Sequence, residues 1–153
     1  PGHRRRWLVA RPPRRPGRAL GISDAVTFHG HVDDRTKHAV VQQSWVHVLP
    51  SRKEGWGGLA VIEAAQHGVP TIGYRSSGGL TDSVIDGVTG VLVDDHHDLV
   101  DRLEHLLADH VLRDELGAKA KARSRDFSWQ QSADAMRTVL ESVHAGVRVS
   151  GVI

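Results

Sequence analysis

PSRKEGWGGLAVIEAAQHG, residues 50–68, carries a strand end, a glycine-rich loop and a helix in one short stretch. Trp45-Val46-His47-Val48-Leu49 reads as a strand, because β-branched and aromatic side chains suit a pleated surface, and Pro50-Ser51 ends it. Gly55, Gly57 and Gly58 fill the loop. Leu59 to His67 reads as a helix, closed by Gly68 where left-handed geometry is favoured, with Pro70 beyond it.

The same alternation continues outward. Upstream, Val26-Thr27-Phe28-His29 is a β-rich run stopped by Gly30, and Asp33 or Asp34 caps a helix through about Gln43. Downstream, Thr71-Ile72-Gly73-Tyr74 predicts a strand, followed by the Ser76-Ser77-Gly78-Gly79 loop and a short helix from Leu80 to Ile85. Gly87 and Gly90 frame a turn before a further strand, Val91-Leu92-Val93. Strands alternating with helices at this spacing predict an α/β fold, a Rossmann-like parallel sheet with flanking helices. The last third is helical. Leu99, Leu103, Leu106 and Leu107 make one stripe and Leu112 with Leu116 another. Ser128 followed by Gln131 is a capping-box signature. It opens a helix whose apolar stripe is Trp129, Ala133, Met136, Leu140 and Val143.

Composition excludes several function classes. The chain of 153 residues has no Cys, so disulfide scaffolds, thiolate nucleophiles and Cys-based zinc sites are out. No apolar run approaches the ~18 residues a membrane helix needs. The opening PGHRRRWLVARPPRR has no apolar core of secretory length, so a cytoplasmic protein is expected. Residues 1–20 hold seven of the 20 basic residues and no acid, which leaves 13 basic against 18 acidic ones and a net charge of −5. An acidic body argues against a nucleic-acid-binding domain. The basic arm keeps contact with phosphates, or peripheral contact with an anionic membrane, open as an alternative. Residues 1–18 combine seven Arg with four Pro and predict a disordered arm, residues 19–144 the folded domain, and residues 145–153 a tail.

Ligands of doubly wound sheets sit beyond the carboxyl ends of the strands, where the 50–58 loop lies. Glycines there hold no side chain between ligand and backbone. The N–H groups of Leu59 and Ala60 would face a diphosphate, helped by the helix dipole. Glu63 lies one turn on, roughly 6 Å along the axis, a reach that suits the diol of a nucleotide ribose. Glu54 could accept bonds from sugar hydroxyls. Two carboxylates flanking a phosphate-sized cradle point to a nucleotide-sugar. Residue by residue, the plainer alternatives are a tight βα turn and a solvated helix carboxylate.

The stretch resembles the donor-domain signature of glycosyltransferase family 4, the group 1 retaining transferases of the GT-B fold. The match runs through Val26-x-Phe28-x-Gly30, Pro50-Ser51, the Glu54/Glu63 loop, Gly68-x-Pro70, Gly78-Gly79 and Asp86-Gly87-x-Thr89-Gly90. The resemblance implies hexosyl transfer from a nucleoside diphosphate sugar to an acceptor hydroxyl, with retention. It implies that Glu54 binds the donor hexose, the catalytic role. It implies that the backbone of Gly55, Trp56 and Gly57 lines the sugar, that Gly58 belongs to the same donor-binding loop, that the amides of Leu59 and Ala60 face the diphosphate, and that Glu63 accepts from the ribose. No cofactor and no metal is implied, since amides and basic side chains stabilise the departing diphosphate. His29 and His31 share a predicted strand face, yet no helical His-x3-His pair accompanies them.

Three departures from the family pattern bear on these expectations. Eight residues separate Glu54 from Glu63 where the family has seven, and the extra one is Gly57 or Gly58. Inside the helix it would rotate one glutamate by about 100° against the other. Glycine disfavours helix interiors by ~1 kcal/mol against Ala, so a loop bulge is expected. Asp82 stands where the family often has Glu. The N-terminal acceptor domain is missing, as are the first two donor-domain strands with their diphosphate-binding Arg and Lys. The strand at Val26 would be third and that at Val46 fourth in a 3-2-1-4-5-6 sheet, so a continuous sheet is not expected. The chain therefore reads as a truncated or frameshifted donor-domain fragment, inactive alone. Other readings are a GT-B epimerase or phosphorylase, or a non-catalytic module with a basic arm.

Overall fold

Parallel strands can be joined only by crossovers, so short strands separated by helices must assemble edge to edge with the helices on their faces. The computed structural model describes residues 20–55 and 58–145. Two compact units divide the chain, Pro1–Asp33 and Asp34–Ile153. In the first, the described residues form one 3-10 turn, Ser23–Ala25.

The second unit carries the sheet. Strands β1 (His47–Leu49), β2 (Thr71–Tyr74) and β3 (Gly90–Val93) lie in the order β1-β2-β3, all parallel. His47 pairs with Thr71, and Ile72 with Val91. The helices are α1 (Asp34–Gln42), α2 (Leu59–Gln66), α3 (Leu80–Ser83), α4 (His96–Ala108), α5 (His110–Arg123) and α6 (Trp129–His144). Successive strand residues point to opposite faces, which splits the core in two. Ile72 and Val93 pack with Leu99 and Leu106 of α4 and Leu116 of α5. Leu92 packs on the other face with Val61 of α2, Leu80 of α3 and Val84. Each fully buried Leu or Ile contributes roughly 1.5–3 kcal/mol.

Helix ends follow sequence chemistry closely. Asp95 caps α4 by accepting from the amides of His97 and Asp98, and Asp109 caps α5 through the amide of Leu112. Ser128 Oγ accepts from the Gln131 amide at 3.1 Å, the expected start of α6. At the end of α2, Gly68 takes φ +76° and the Val69 amide returns to the Ala64 carbonyl, a Schellman closure.

Several expectations are corrected. No strand forms at residues 26–29, and His29 and His31 share no strand face. A lone strand without a ladder partner gains too little to persist, whatever its propensity. β1 begins at His47 rather than Trp45, and α3 ends at Ser83 rather than Ile85. Leu107 is 46% exposed, outside the stripe that Leu99, Leu103 and Leu106 build. The stripe on α6 is present but buries nothing, for Trp129 is 88% exposed. Among the described residues no helix is long and apolar enough to cross a membrane.

Candidate functional site

β1 and β2 end side by side, so the loops that follow them meet at the carboxyl edge of the sheet. The Glu54 amide donates to the Ser77 carbonyl at 2.8 Å, and Glu54 forms an isolated parallel bridge with Gly78. Gly78 stands at φ +89°, a conformation open to glycine, and a Cβ there would come 3.8 Å from the Glu54 carbonyl. Ser77 is buried and its hydroxyl donates to the Tyr74 carbonyl at 2.7 Å, which holds the second loop to its strand. The predicted sugar-binding residue is thus stitched to the Ser76–Gly79 loop, a pairing that spacing alone did not reveal.

The helix beyond the loop starts at Leu59, where it was expected. Gly58 stays outside it as the N-cap, at φ 53° and ψ 94°, with no side-chain cap bond. The extra residue therefore adds no turn within α2. The first amides of a helix have no intrahelical acceptor. Those of Leu59 and Ala60 begin α2, while the Val61 amide turns back to the Gly58 carbonyl. The Glu54 carboxylate lies close to this helix start, with Oε2 3.9 Å from the point a Gly58 Cβ would occupy. Gly55 has open space on its Cβ side. Trp56 and Gly57, two of the predicted sugar-lining residues, lie outside the described residues.

Glu63 projects from the middle of α2 toward α1. Its Oε1 accepts from Lys37 Nζ at 2.8 Å, and Lys37 also reaches Asp34 at 3.2 Å. The Glu63 bond first, then the Asp34 bond, raises the Lys37 pKa above its ordinary value. One residue on, His38 Nδ1 meets His67 Nε2 at 2.9 Å. No hydrogen bond or ion pair among the described residues joins Glu54 to Glu63. The two carboxylates serve opposite ends of the loop–helix unit. Lys37 was not legible as a partner of Glu63, because 26 residues separate them and only α1 docking on α2 brings them together.

A second polar cluster secures the loop after β2. Arg75 donates to Asp86 at 2.5 Å, to Asp94 at 3.3 Å and to the Leu92 carbonyl at 3.2 Å. Burial pushes the Asp86 carboxyl up, but the Leu92 amide and the Arg75 guanidinium together hold it below its ordinary value. Thr89 Oγ1 accepts from the Ile85 amide at 2.8 Å, closing the Asp86–Gly90 turn. A cavity of about 390 Å³ adjoins this cluster, lined also by Arg102, His105, Leu106, Leu112 and Leu116. Its charges are paired internally, Arg75 with Asp86 and Asp94, Arg102 with Asp98. Glu54, Gly58, Leu59, Ala60 and Glu63 do not line this cavity.

The sequence model of the family described as "Glycosyl transferases group 1" matches residues 15–123. A D-inositol 3-phosphate glycosyltransferase of Arthrobacter sp. is 37% identical over 131 residues, covering 84% of this chain and 30% of its own length. Among solved structures, sucrose-phosphate synthase from Thermosynechococcus elongatus superposes with a TM-score of 0.77 at 30% identity, over 86% of this chain and 33% of that one. Anabaena HepE, solved in complex with UDP-glucose, shares the fold with a TM-score of 0.72 at 21% identity, over 82% of this chain and 35% of that one. The chain thus spans about a third of the length of these proteins.

Proposed function

The chain belongs to the group 1 glycosyl transferases, and from that premise we propose that its loop–helix unit at residues 50–63 is the nucleotide-sugar donor face of a retaining family 4 transferase of the GT-B type. The whole protein would move a hexosyl group from a nucleoside diphosphate to an acceptor hydroxyl. Glu54 would accept hydrogen bonds from the donor hexose, with Gly55, Trp56 and Gly57 along the sugar and Gly58 completing the donor-binding loop. The amides of Leu59 and Ala60 would take the diphosphate oxygens, which gain charge as the glycosidic bond breaks; fixed donors at that point stabilise the leaving group without a metal. Glu63 would accept from the ribose.

One observation carries the reading. The Glu54 backbone is bonded to Ser77 and bridged to Gly78, and its Oε2 lies 3.9 Å from the point a Gly58 Cβ would occupy, near the uncapped start of α2. A sugar-binding acid and diphosphate-binding amides are then neighbours on one edge. The complex of HepE with UDP-glucose makes a uridine nucleotide the first donor to try.

Calorimetric titration of residues 1–153 with UDP and UDP-glucose tests it. Saturable binding is expected, unchanged by chelators. Glu63→Gln should weaken both ligands by roughly 1.5–3 kcal/mol, the worth of a hydrogen bond to a charged group. Glu54→Gln should weaken UDP-glucose and leave UDP unaffected. Failure of every nucleoside diphosphate to bind would overturn the reading.

A further inference from the structure

Glu63 has a fixed partner on one side only. Oε1 is held by Lys37 Nζ at 2.8 Å, whereas no donor among the described residues takes Oε2. Both side chains are about two-thirds covered, at 35% and 34% exposure, so the pair is neither a free surface contact nor a sealed one. Lys37 itself is not adrift. The neighbouring His38 is clasped to His67, which sits at the C-cap of α2, four residues beyond Glu63. α1 buries no residue completely, and these polar contacts join it to α2.

We infer that Lys37 is a positioning residue for nucleotide recognition: by engaging Oε1 it locks the Glu63 carboxylate so that Oε2 faces the ribose diol, and this sets discrimination between ribose and deoxygenated sugars. The inference rests on the proposed contact between Glu63 and the ribose. An unlocked glutamate samples several rotamers, and ordering it on binding costs free energy that Lys37 removes beforehand. The ammonium also offsets the like charge that the nucleotide diphosphate brings toward Glu63.

The probes are UDP and 2′,3′-dideoxyuridine diphosphate, titrated into the full chain. The wild type should prefer UDP by about tenfold or more, the value of one charge-assisted hydrogen bond. Lys37→Met should cut that preference at least threefold while thermal unfolding remains cooperative. Lys37→Arg should restore most of it, since a guanidinium also reaches a carboxylate. The affinity ratio isolates the role, because a merely structural loss lowers both affinities together and leaves the ratio intact. A ratio unchanged in Lys37→Met but abolished in Glu63→Gln overturns the inference and leaves the donor-site reading standing. A ratio unaffected by Glu63→Gln, or a wild type that binds neither probe, overturns the ribose contact and the inference with it.

Discussion

His47 shows how a single side chain can register pH. It lies on β1 opposite Thr71, and its Nδ1 meets Thr71 Oγ1 at 3.0 Å. Burial lowers its pKa below the ordinary 6.5, and the nearby Glu63 charge opposes this only in part. In the folded state the ring therefore stays neutral at a pH where the unfolded ring is already protonated. The unfolded chain binds more protons over that interval, so stability rises with pH there. The contribution is complete above 6.5 and declines as pH falls from 6.5 toward the depressed folded value. Denaturation midpoints measured from pH 7.5 down to about 5 should fall, and His47→Gln should flatten this part of the profile. An unaltered slope in the variant would remove His47 from the account.

At the scale of elements, the tightest constraint is where α5 crosses the end of α2. A Cβ on Gly117 would stand 2.0 Å from the Gly68 carbonyl oxygen and 3.6 Å from Pro70 Cδ. Gly68 is fixed in turn by its positive φ and the Schellman bonds, so the obstacle is backbone rather than a movable side chain. Alanine normally gains about 1 kcal/mol over glycine within a helix. Here overpacking of typically 1–3 kcal/mol opposes that gain. Gly117→Ala should therefore destabilise by up to about 2 kcal/mol in urea titration, whereas Ala118→Gly, at an exposed position of the same helix, should cost about 1 kcal/mol through propensity alone. A stabilised Gly117→Ala would show that α5 can lift away. The sequence made Gly68 readable as a stop signal, and likewise Ser128 as a cap and Thr71–Tyr74 as a strand, because caps and periodicity are local. It left Gly117 indistinguishable from any helix glycine, since the clash that explains it is tertiary. Lys37–Glu63 and Glu54–Gly78 were hidden for the same reason. The strand expected at Val26 failed from the opposite cause: local propensity was read correctly, but a strand also needs a neighbour.

Across the whole molecule, burial is distributed unevenly, and that sets what opens first. The centre of the second unit is Ile72, Leu80, Leu106, Leu116 and Val93, each 2% exposed or less. α6 follows with a sound N-cap and a regular apolar stripe, yet none of its residues is buried. Trp129, Met136, Leu140 and Val143 are between 60% and 88% exposed. A helix of 16 residues without tertiary packing is marginal in water, since nucleation is costly and propensity alone barely offsets it. Native-state hydrogen exchange should therefore separate two classes. Amides of β2, β3 and the centre of α5 should exchange only on global unfolding, with the full unfolding free energy. Those of α6 should exchange through local opening at a small fraction of it. Truncation after Ser128 should then leave the urea midpoint of the remaining unit within experimental error, because none of the described residues it removes is buried. Equal protection in α6 and β3 would mean that its apolar face is covered in solution. A dependence of that protection on protein concentration would identify the cover as a second copy of the chain.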